Sequence, residues 1–232
     1  MTTAFTPQTD DRYELKITCD ARLLPQARLW IRLHSAPFRI AYPTRQINNL
    51  YLDTPQFNSL IANQVGIPDR EKLRIRWYGE HREGVVVNPT LELKVKRGML
   101  GRKKQQRLDC EVDWCRPYRD ILATLYEAAA EDWEPWLGSA IQPALINWYR
   151  RDYYETYDGE IRLTLDYDQA ACDQRLAIRP NFSRMTPIES LIVIEIKGGA
   201  DRGDRLQEII SRFPFPRRRN SKYVNGMEAS WL

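Results

Sequence analysis

Histidine is scarce in this 232-residue chain, which has only His34 and His81. This scarcity excludes HExxH zinc chemistry, multi-histidine metal sites and a Ser-His-Asp triad with supporting histidines. The four cysteines form no CxxC pair. We therefore expect neither a zinc ribbon nor a disulfide framework, and interpret the cysteines as reduced structural thiols.

Glycine-rich phosphate loops and long apolar runs are also missing. No GxGxxG follows a candidate strand and no GxxxxGK[ST] occurs, so any phosphate chemistry must depend on side chains. The most apolar stretch, Leu191 to Ile196, is too short to cross a bilayer. The opening MTTAFTPQTDD has no basic region followed by an apolar run. We expect a soluble, cytoplasmic protein without a membrane span in this chain.

Charge is abundant and nearly balanced. The 35 Lys+Arg and 31 Asp+Glu give a net charge of +4, which by itself does not favour nucleic acid as a partner. The hydrophobic fraction of 43% fits one globular unit with a sizeable core. We predict a single domain over residues 1–232, with residues 1–10 as a flexible N-terminus.

Several segments alternate apolar and polar residues with period two, as strands do when their two faces meet different surroundings. The polar faces of five such segments are charged: 12–18, 72–77, 91–96, 160–167 and 192–197. Further extended segments are predicted at 46–53, 84–88, 107–113, 146–154 and 174–179. Helices are predicted over 21–35, from Thr54-Pro55 through Ile61, over 117–130 and over 204–212, and loops at 79–84, 97–101, 198–203 and 213–216.

Two arrangements satisfy such strands. In an open antiparallel sheet the charged faces would lie in water, which is the better interpretation of any single strand. Five strands that behave alike favour a closed barrel with helices outside and a charged lumen. Because unpaired buried charge is costly, a polyanion would be the natural complement of the lumen cations. The lumen would hold Lys16, Arg74, Arg76, Lys94, Arg151, Arg162, Lys197 and Lys222 against Glu14, Glu92, Asp166 and Glu195.

Eight ordered motifs carry a family resemblance: RYELK (12–16), NNLYLDT (48–54), LRIRWYG (73–79), LELKVKRG (91–98), NWYRRDYY (147–154), IRLTLD (161–166), VIEIKGG (193–199) and RRNSKYVNG (218–226). From about residue 11 to 227 the chain resembles the polyphosphate polymerase domain of the vacuolar transporter chaperone (VTC) complex. That domain belongs to the triphosphate tunnel metalloenzymes, the superfamily of the CYTH proteins. The resemblance implies an α+β fold, an eight-stranded antiparallel closed β-barrel that binds a tripolyphosphate group along its axis.

The resemblance also implies roles for individual residues. A divalent metal, Mn²⁺ or Mg²⁺, would be held by Glu195, with Glu14 and Glu92 as further candidates. The substrate-binding residues would be Lys16, Tyr149, Ser221, Lys222 and Tyr223, the last three from the SKY motif at the closing end of the site. The catalytic phosphate ligands would be Arg74, Arg76, Lys94, Arg151, Arg162 and Lys197.

One departure from the superfamily concerns the first strand. CYTH triphosphatases and adenylate cyclases carry ExExK there, whereas Arg12 replaces the first acid in this chain. Loss of a carboxylate should weaken a second metal position or the activation of water. The resemblance therefore favours a polyphosphate polymerase that takes ATP as donor and inorganic polyphosphate as acceptor.

Two other functions stay open: a hydrolase of inorganic triphosphate or nucleoside triphosphates, and a non-catalytic module that binds polyphosphate or nucleic acid. Aromatic residues beside basic ones, as in Arg76-Trp77-Tyr78, occur in single-strand binders. Alternation places Trp77 opposite the arginines, which argues against nucleic acid.

Purely structural roles also stay open for individual residues. Instead of binding substrate, Tyr149 could pack in the core. Instead of acting in the site, Glu195 and Lys197 could take part in a cross-strand ion pair. We interpret Arg12 and Lys96 as rim residues, and 217–219 as a solvated turn or a guide for a long anion. The sequence leaves protein partners and oligomeric state open.

Overall fold

Strands dominate this protein. The structure, a computed structural model, describes residues 12–98, 100–138, 141–188 and 190–230. The strands are β1 (Arg12–Asp20), β2 (Phe38–Asp53), β3 (Arg70–Tyr78), β4 (Val85–Val87), β5 (Thr90–Arg97), β6 (Leu100–Arg107), β7 (Glu111–Asp113), β8 (Gln142–Thr156), β9 (Arg162–Asp173), β10 (Met185–Pro187) and β11 (Leu191–Gly199). The α-helices are α1 (Leu24–Leu33), α2 (Asn58–Gln64), α3 (Tyr118–Ala128), α4 (Glu134–Leu137), α5 (Gly203–Ser211) and α6 (Lys222–Ala229).

Eight of the strands close into an antiparallel barrel. Their order is β9-β11-β1-β6-β5-β3-β2-β8, and the ring closes because β8 also pairs with β9. Strand β10 adds to the edge of β9, while β4 and β7 form a separate two-stranded ribbon. The predicted fold, an α+β protein with a closed eight-stranded barrel and helices outside, is confirmed.

The apolar faces of the strands point outward and are covered by helices. On β1, Leu15 and Ile17 join an apolar cluster with residues of α1 and α5. On β3, Ile75 and Trp77 join a second cluster that includes residues of α3. Because side chains alternate along a strand, the charged residues between them face the interior. The alternative of an open sheet with charged faces in water is therefore wrong.

The pairing of neighbouring barrel strands is shortest between β1 and β6. Within the described ranges these strands share only two residue pairs, Arg12 with Gly101 and Tyr13 with Leu100. Beyond them the chain before α6 lies along β1, where the Thr18 amide donates to the Pro216 carbonyl at 3.4 Å. The wall at this place is completed by an irregular segment instead of a strand.

Helix α6 packs at one end of the barrel and was not predicted from the sequence. Ser221 caps it, with its side chain accepting from the Val224 amide. The ring of Tyr223 stacks on that of Tyr51 with centroids 4.8 Å apart. A Cβ on Gly226 would lie 2.5 Å from Leu145 Cδ2, so glycine allows the helix its close approach to the barrel.

Other boundaries differ from the predictions in places. Strand β6 covers residues 102–106, for which no element was predicted, and overlaps the predicted loop over 97–101 and the predicted extended segment over 107–113 only at their ends. The segment 174–179 is not a strand, because the Gln174 side chain accepts from the Tyr118 hydroxyl and the Asn181 amide and the chain turns there.

Two further predictions concern the chain as a whole. The flexible N-terminus over 1–10 lies outside the described residues, and the single domain stays a prediction. Across the four described ranges, no helix is long and apolar enough to span a membrane. The cytoplasmic location stays a prediction.

Candidate functional site

The barrel interior holds a cavity of about 620 Å³, which we call the lumen cavity. Three of its lining residues are glutamates, and twelve are lysines or arginines. Positive charge is therefore concentrated in a confined space, which suits an anion of several charges. The basic lining residues are Arg12, Lys16, Lys72, Arg74, Arg76, Lys94, Arg102, Lys103, Arg151, Arg162, Lys197 and Lys222.

One cluster in the lumen joins two carboxylates through lysines. Lys16 Nζ lies 3.0 Å from Glu14 and 3.1 Å from Glu195, and Lys197 forms an ion pair with Glu195. Lys94 Nζ contacts Glu14 at 2.7 Å. Although burial opposes ionisation, these lysines hold the pKa values of both glutamates well below their usual range. Burial lowers the pKa of Lys94 to about 8, against the attraction of Glu14.

A second cluster surrounds Glu92, which is 2% exposed. Arg74 donates to it from Nε and Nη2 at 2.9 and 2.6 Å, and Arg76 Nη1 and Lys103 Nζ lie 3.5 and 3.3 Å away. Arg76 also donates to Asn49 Oδ1 at 3.1 Å. Glu92 therefore orients both arginines of the RxR motif, leaving the lumen with a net positive charge on this wall.

A third cluster surrounds Asp166, which is fully buried. Arg151 donates to its two oxygens at 2.5 and 2.7 Å, and Lys222 Nζ reaches it at 2.5 Å. The ring of Tyr149 lies 4.5 Å from Lys222 Nζ and 5.3 Å from the Arg151 guanidinium carbon. Burial would raise the pKa of Tyr149, but Arg151, Arg76 and Lys222 together lower it.

A second cavity, of about 850 Å³, opens beside the barrel, and we call it the side cavity. It shares five lining residues with the lumen cavity: Glu14, Lys16, Lys72, Lys94 and Ser221. Where they meet, Lys72 Nζ donates to Ser221 Oγ at 2.8 Å. The side cavity is further lined by Arg70, Lys96 and Arg217, Arg218 and Arg219. The two cavities therefore adjoin, and we call them together the basic channel.

The sequence of this protein matches the family model of the VTC domain over residues 11–231. The chain belongs to the VTC domain family. Among curated proteins, no sequence gives a significant match.

Solved structures share the fold of this VTC domain at low sequence identity. A proposed adenylate cyclase from Vibrio parahaemolyticus is 14% identical, with a TM-score of 0.51 and coverage of 92% of this chain and 96% of that one. A proposed adenylyl cyclase from Hippeastrum, whose structure is described as revealing a dominant triphosphatase activity, is 15% identical, with a TM-score of 0.51 and coverage of 94% and 95%. These likenesses concern the fold alone.

Most of the residues predicted for the site of the VTC domain converge on its lumen. Arg162 lines the cavity from an exposed position and has no ion pair among the described residues. Tyr223 is placed differently, because its hydroxyl donates to Asp53 at 2.7 Å and it is absent from the lining of both cavities. We therefore expect Tyr223 to anchor α6 and not to contact substrate.

The predicted metal ligands fall into two places. No group of three or more His, Cys, Asp or Glu residues forms a metal site in the described part of the VTC domain. Glu14 and Glu195, which contact the same lysine nitrogen, offer two carboxylates, and Mg²⁺ is commonly held by one or two carboxylates together with substrate phosphates. This donor set fits Mn²⁺ or Mg²⁺ once phosphate is present. Glu92 lies apart, with Arg74 and Arg76.

Sequence analysis left two lysines of the lumen out of the candidate site. Lys72 belongs to the same alternating face as Arg74 and Arg76, so the period-two pattern was sufficient to include it. Lys103 lies on β6, which the sequence did not predict as a strand, and no pattern pointed to it.

Proposed function

We propose that this protein is a metal-dependent polyphosphate polymerase that transfers the γ-phosphate of ATP to the end of an inorganic polyphosphate chain in the lumen. The observation that carries the proposal is the meeting of two basic cavities at Lys72 and Ser221. A transferase must hold a donor triphosphate and an acceptor chain at once. Two adjoining basic cavities offer room for both, whereas hydrolysis needs room only for the triphosphate and water.

Phosphoryl transfer asks the protein mainly for in-line positioning and charge neutralisation. Arg74, Arg76 and Arg151 suit this task because a guanidinium fork binds two phosphate oxygens at once. Their present partners, Glu92 and Asp166, keep the forks in the lumen without phosphate. The lysines act as more mobile charges, with Lys94 and Lys197 in reach of either a carboxylate or a phosphate.

The metal would be held by Glu14 and Glu195. When bound, Mn²⁺ or Mg²⁺ would neutralise charge on the phosphate oxygens. Lys16 and Lys197, which contact these glutamates, are placed to contact phosphate oxygens beside them.

Triphosphate hydrolysis is the second candidate function, because the Hippeastrum neighbour is described as a triphosphatase. Hydrolysis needs a base for the attacking water. Arg12 stands where the CYTH motif has its first acid, and the predicted metal ligands Glu14, Glu92 and Glu195 all carry ion pairs to lysine or arginine. This arrangement favours an acceptor phosphate, which arrives already deprotonated.

Trp77, the aromatic residue beside the RxR arginines, gives no support to a nucleic-acid binding module. Trp77, which follows Arg76 in sequence, is 2% exposed and stacks on Trp114 outside the barrel with ring centroids 4.4 Å apart. Its ring is therefore unavailable to stack with bases. A module that only binds polyphosphate would have the same basic channel and is separated by experiment.

The test is to incubate the purified protein with ATP and Mn²⁺ and to measure long-chain polyphosphate beside orthophosphate. Growth of polymer in proportion to ADP supports the polymerase. Orthophosphate without polymer supports the hydrolase. Neither product, with polyphosphate still bound, supports the binding module.

A further inference from the structure

Three tyrosines surround an arginine at the outer end of the lumen cavity, and the phosphate chemistry leaves them unused. The guanidinium carbon of Arg45 lies 5.4, 6.0 and 5.9 Å from the ring centroids of Tyr42, Tyr78 and Tyr153. The rings of Tyr42 and Tyr153 meet edge to face at 5.8 Å. We call these four residues the aromatic rim.

The strands place the aromatic rim directly outside the phosphate ligands. Tyr78 follows Arg76 by two residues on β3, and Tyr153 follows Arg151 by two residues on β8. Residues two apart share a face, and each step of two advances ~7 Å along a strand. Both arginines and both tyrosines of these pairs line the lumen cavity, as does Tyr42. A group attached to the outer end of a bound triphosphate would therefore lie beside the rings.

The rim residues remain available for a ligand. Tyr42 and Tyr78 are 53% and 50% exposed, and Arg45 has no acidic partner in the described part of the chain. Single exposed tyrosines are ordinary surface residues. Three tyrosines that converge on one arginine without an acidic partner at a cavity mouth form a π-rich platform. A flat heteroaromatic ring can stack on this platform, and the guanidinium group adds to the stacking surface.

The other opening has a different chemistry. The described residues that line the side cavity are mostly arginine, lysine and amide residues, with two glutamates and a few aliphatic or small residues, and none of them is aromatic. A ligand with an aromatic end and an anionic end therefore has one preferred direction in the channel, with the aromatic end at Tyr42, Tyr78 and Tyr153.

We propose that the aromatic rim binds the base of a nucleoside triphosphate by stacking, so that the protein prefers nucleoside triphosphates to inorganic tripolyphosphate. The inference rests on the proposed function, because it takes the lumen as the phosphate site. It goes further by naming the residues that select a nucleoside-bearing donor. Stacking needs only a π-face, so different bases are accepted.

The test compares the dissociation constants of ATP and inorganic tripolyphosphate, measured by calorimetry in the same Mg²⁺ buffer. Tyr78→Ala and Tyr42→Ala should each weaken ATP binding by roughly tenfold, within the range for loss of one base–aromatic stack. Tripolyphosphate binding should change less than about twofold, since it makes no stack. Tyr78→Phe keeps the ring and should keep most of the affinity for ATP. Tyr126→Ala, which removes a 48% exposed tyrosine from α3, is the matched control.

The outcomes separate the rim from the phosphate site. Selective loss of ATP affinity in the alanine variants, with tripolyphosphate retained, supports the rim. Equal loss of both ligands, unchanged ATP affinity, or a wild type that binds both ligands equally overturns the rim and leaves the phosphate site standing. A wild type that binds neither ligand overturns the proposed function and the rim together.

Discussion

At the scale of single residues, Lys72 differs from the other partly buried cations that line the lumen cavity. Its Nζ contacts Ser221 Oγ, and no carboxylate within the described residues forms an ion pair with it. Burial, together with the charges of Lys16, Lys94, Arg70 and Arg74, holds the pKa of Lys72 well below its usual range. A phosphate beside it would supply the missing negative charge and favour the protonated form.

We expect tripolyphosphate binding to be coupled to proton uptake at Lys72. The bound anion raises the pKa of Lys72, so the complex holds more protons than the free protein. Affinity should therefore fall as the pH rises between the free and bound pKa values, by at most about tenfold per pH unit. Calorimetry in two buffers of different ionisation enthalpy measures the uptake. Lys72→Arg, which stays protonated, should bind without it; undiminished uptake in that variant would contradict the assignment.

Arg74 is the residue whose loss should most clearly separate catalysis from folding. Arg74→Ala removes a two-pronged phosphate ligand, and we expect turnover of ATP to fall about a hundredfold, by analogy with loss of one oxyanion-hole donor. Glu92 keeps Arg76 and Lys103 as partners, so the barrel should still fold. Arg119→Ala, at a side chain 90% exposed, is the control. Normal turnover by a well-folded Arg74→Ala protein would remove Arg74 from the mechanism.

At the scale of elements, α6 links the site to the barrel through Asp53. This carboxylate accepts from the Tyr223 hydroxyl at 2.7 Å and from the amides of Ser59 and Leu60 in α2 at 3.0 and 3.1 Å. One buried acid at the end of β2 therefore holds two helices. The position of Ser221 and Lys222 in the lumen depends on this anchor.

Tyr223→Phe tests the anchoring role against a substrate-binding role. Loss of the hydroxyl removes one hydrogen bond to a buried carboxylate, which should cost about 1–2 kcal/mol and lower Tm by a few degrees. The catalytic rate of the folded protein with ATP should stay within about twofold, because the hydroxyl does not line the lumen. Tyr126→Phe provides the exposed control. A large drop in turnover without a drop in Tm would restore Tyr223 to the substrate-binding residues.

The strands whose faces differ in polarity were predictable, and the elements without that contrast were not. On β1 and β3, charged residues alternate with Leu15, Ile17 and Ile75, which the helices cover. Strand β6 shows no alternation of apolar and polar residues, because its outward face carries Lys104. The Nζ of Lys104 lies 4.4 and 4.8 Å from the ring centroids of Trp133 and Trp136. The aliphatic part of such a lysine packs on the apolar core, although lysine counts as polar in a hydrophobicity pattern.

Helix α6 and the pairing inside the site depend on tertiary contacts. The sequence KYVNGMEA contains asparagine and glycine, which are poor helix formers, and the helix is stabilised by burial of Tyr223 and Met227. Alternation along the strands was sufficient to predict which charges face the lumen. It was not sufficient to predict the ion-pair partners, because Asp166 and Lys222 meet only when the barrel closes and α6 packs at its end.

At the scale of the whole molecule, the channel has two chemically different openings. The aromatic rim lies at one, and the side cavity brings Arg218 and Arg219 together with Arg70 at the other. Burial and the charge of Arg219 lower the pKa of Arg70, so positive charges lie close together there. A phosphate chain too long for the lumen cavity has this second basic surface within reach.

We therefore expect the arginines of the side cavity to act on long chains and to leave tripolyphosphate unaffected. The double variant Arg218→Ala/Arg219→Ala should weaken binding of long-chain polyphosphate several-fold. Each lost arginine–phosphate contact should also reduce the slope of log affinity against log salt by about 0.7, the value for single-stranded polyanions. Titrations of both ligands at several salt concentrations measure these quantities, with exposed Arg179→Ala as the control. Equal weakening of both ligands would place the arginines in the triphosphate site, and no weakening would leave them as a solvated turn.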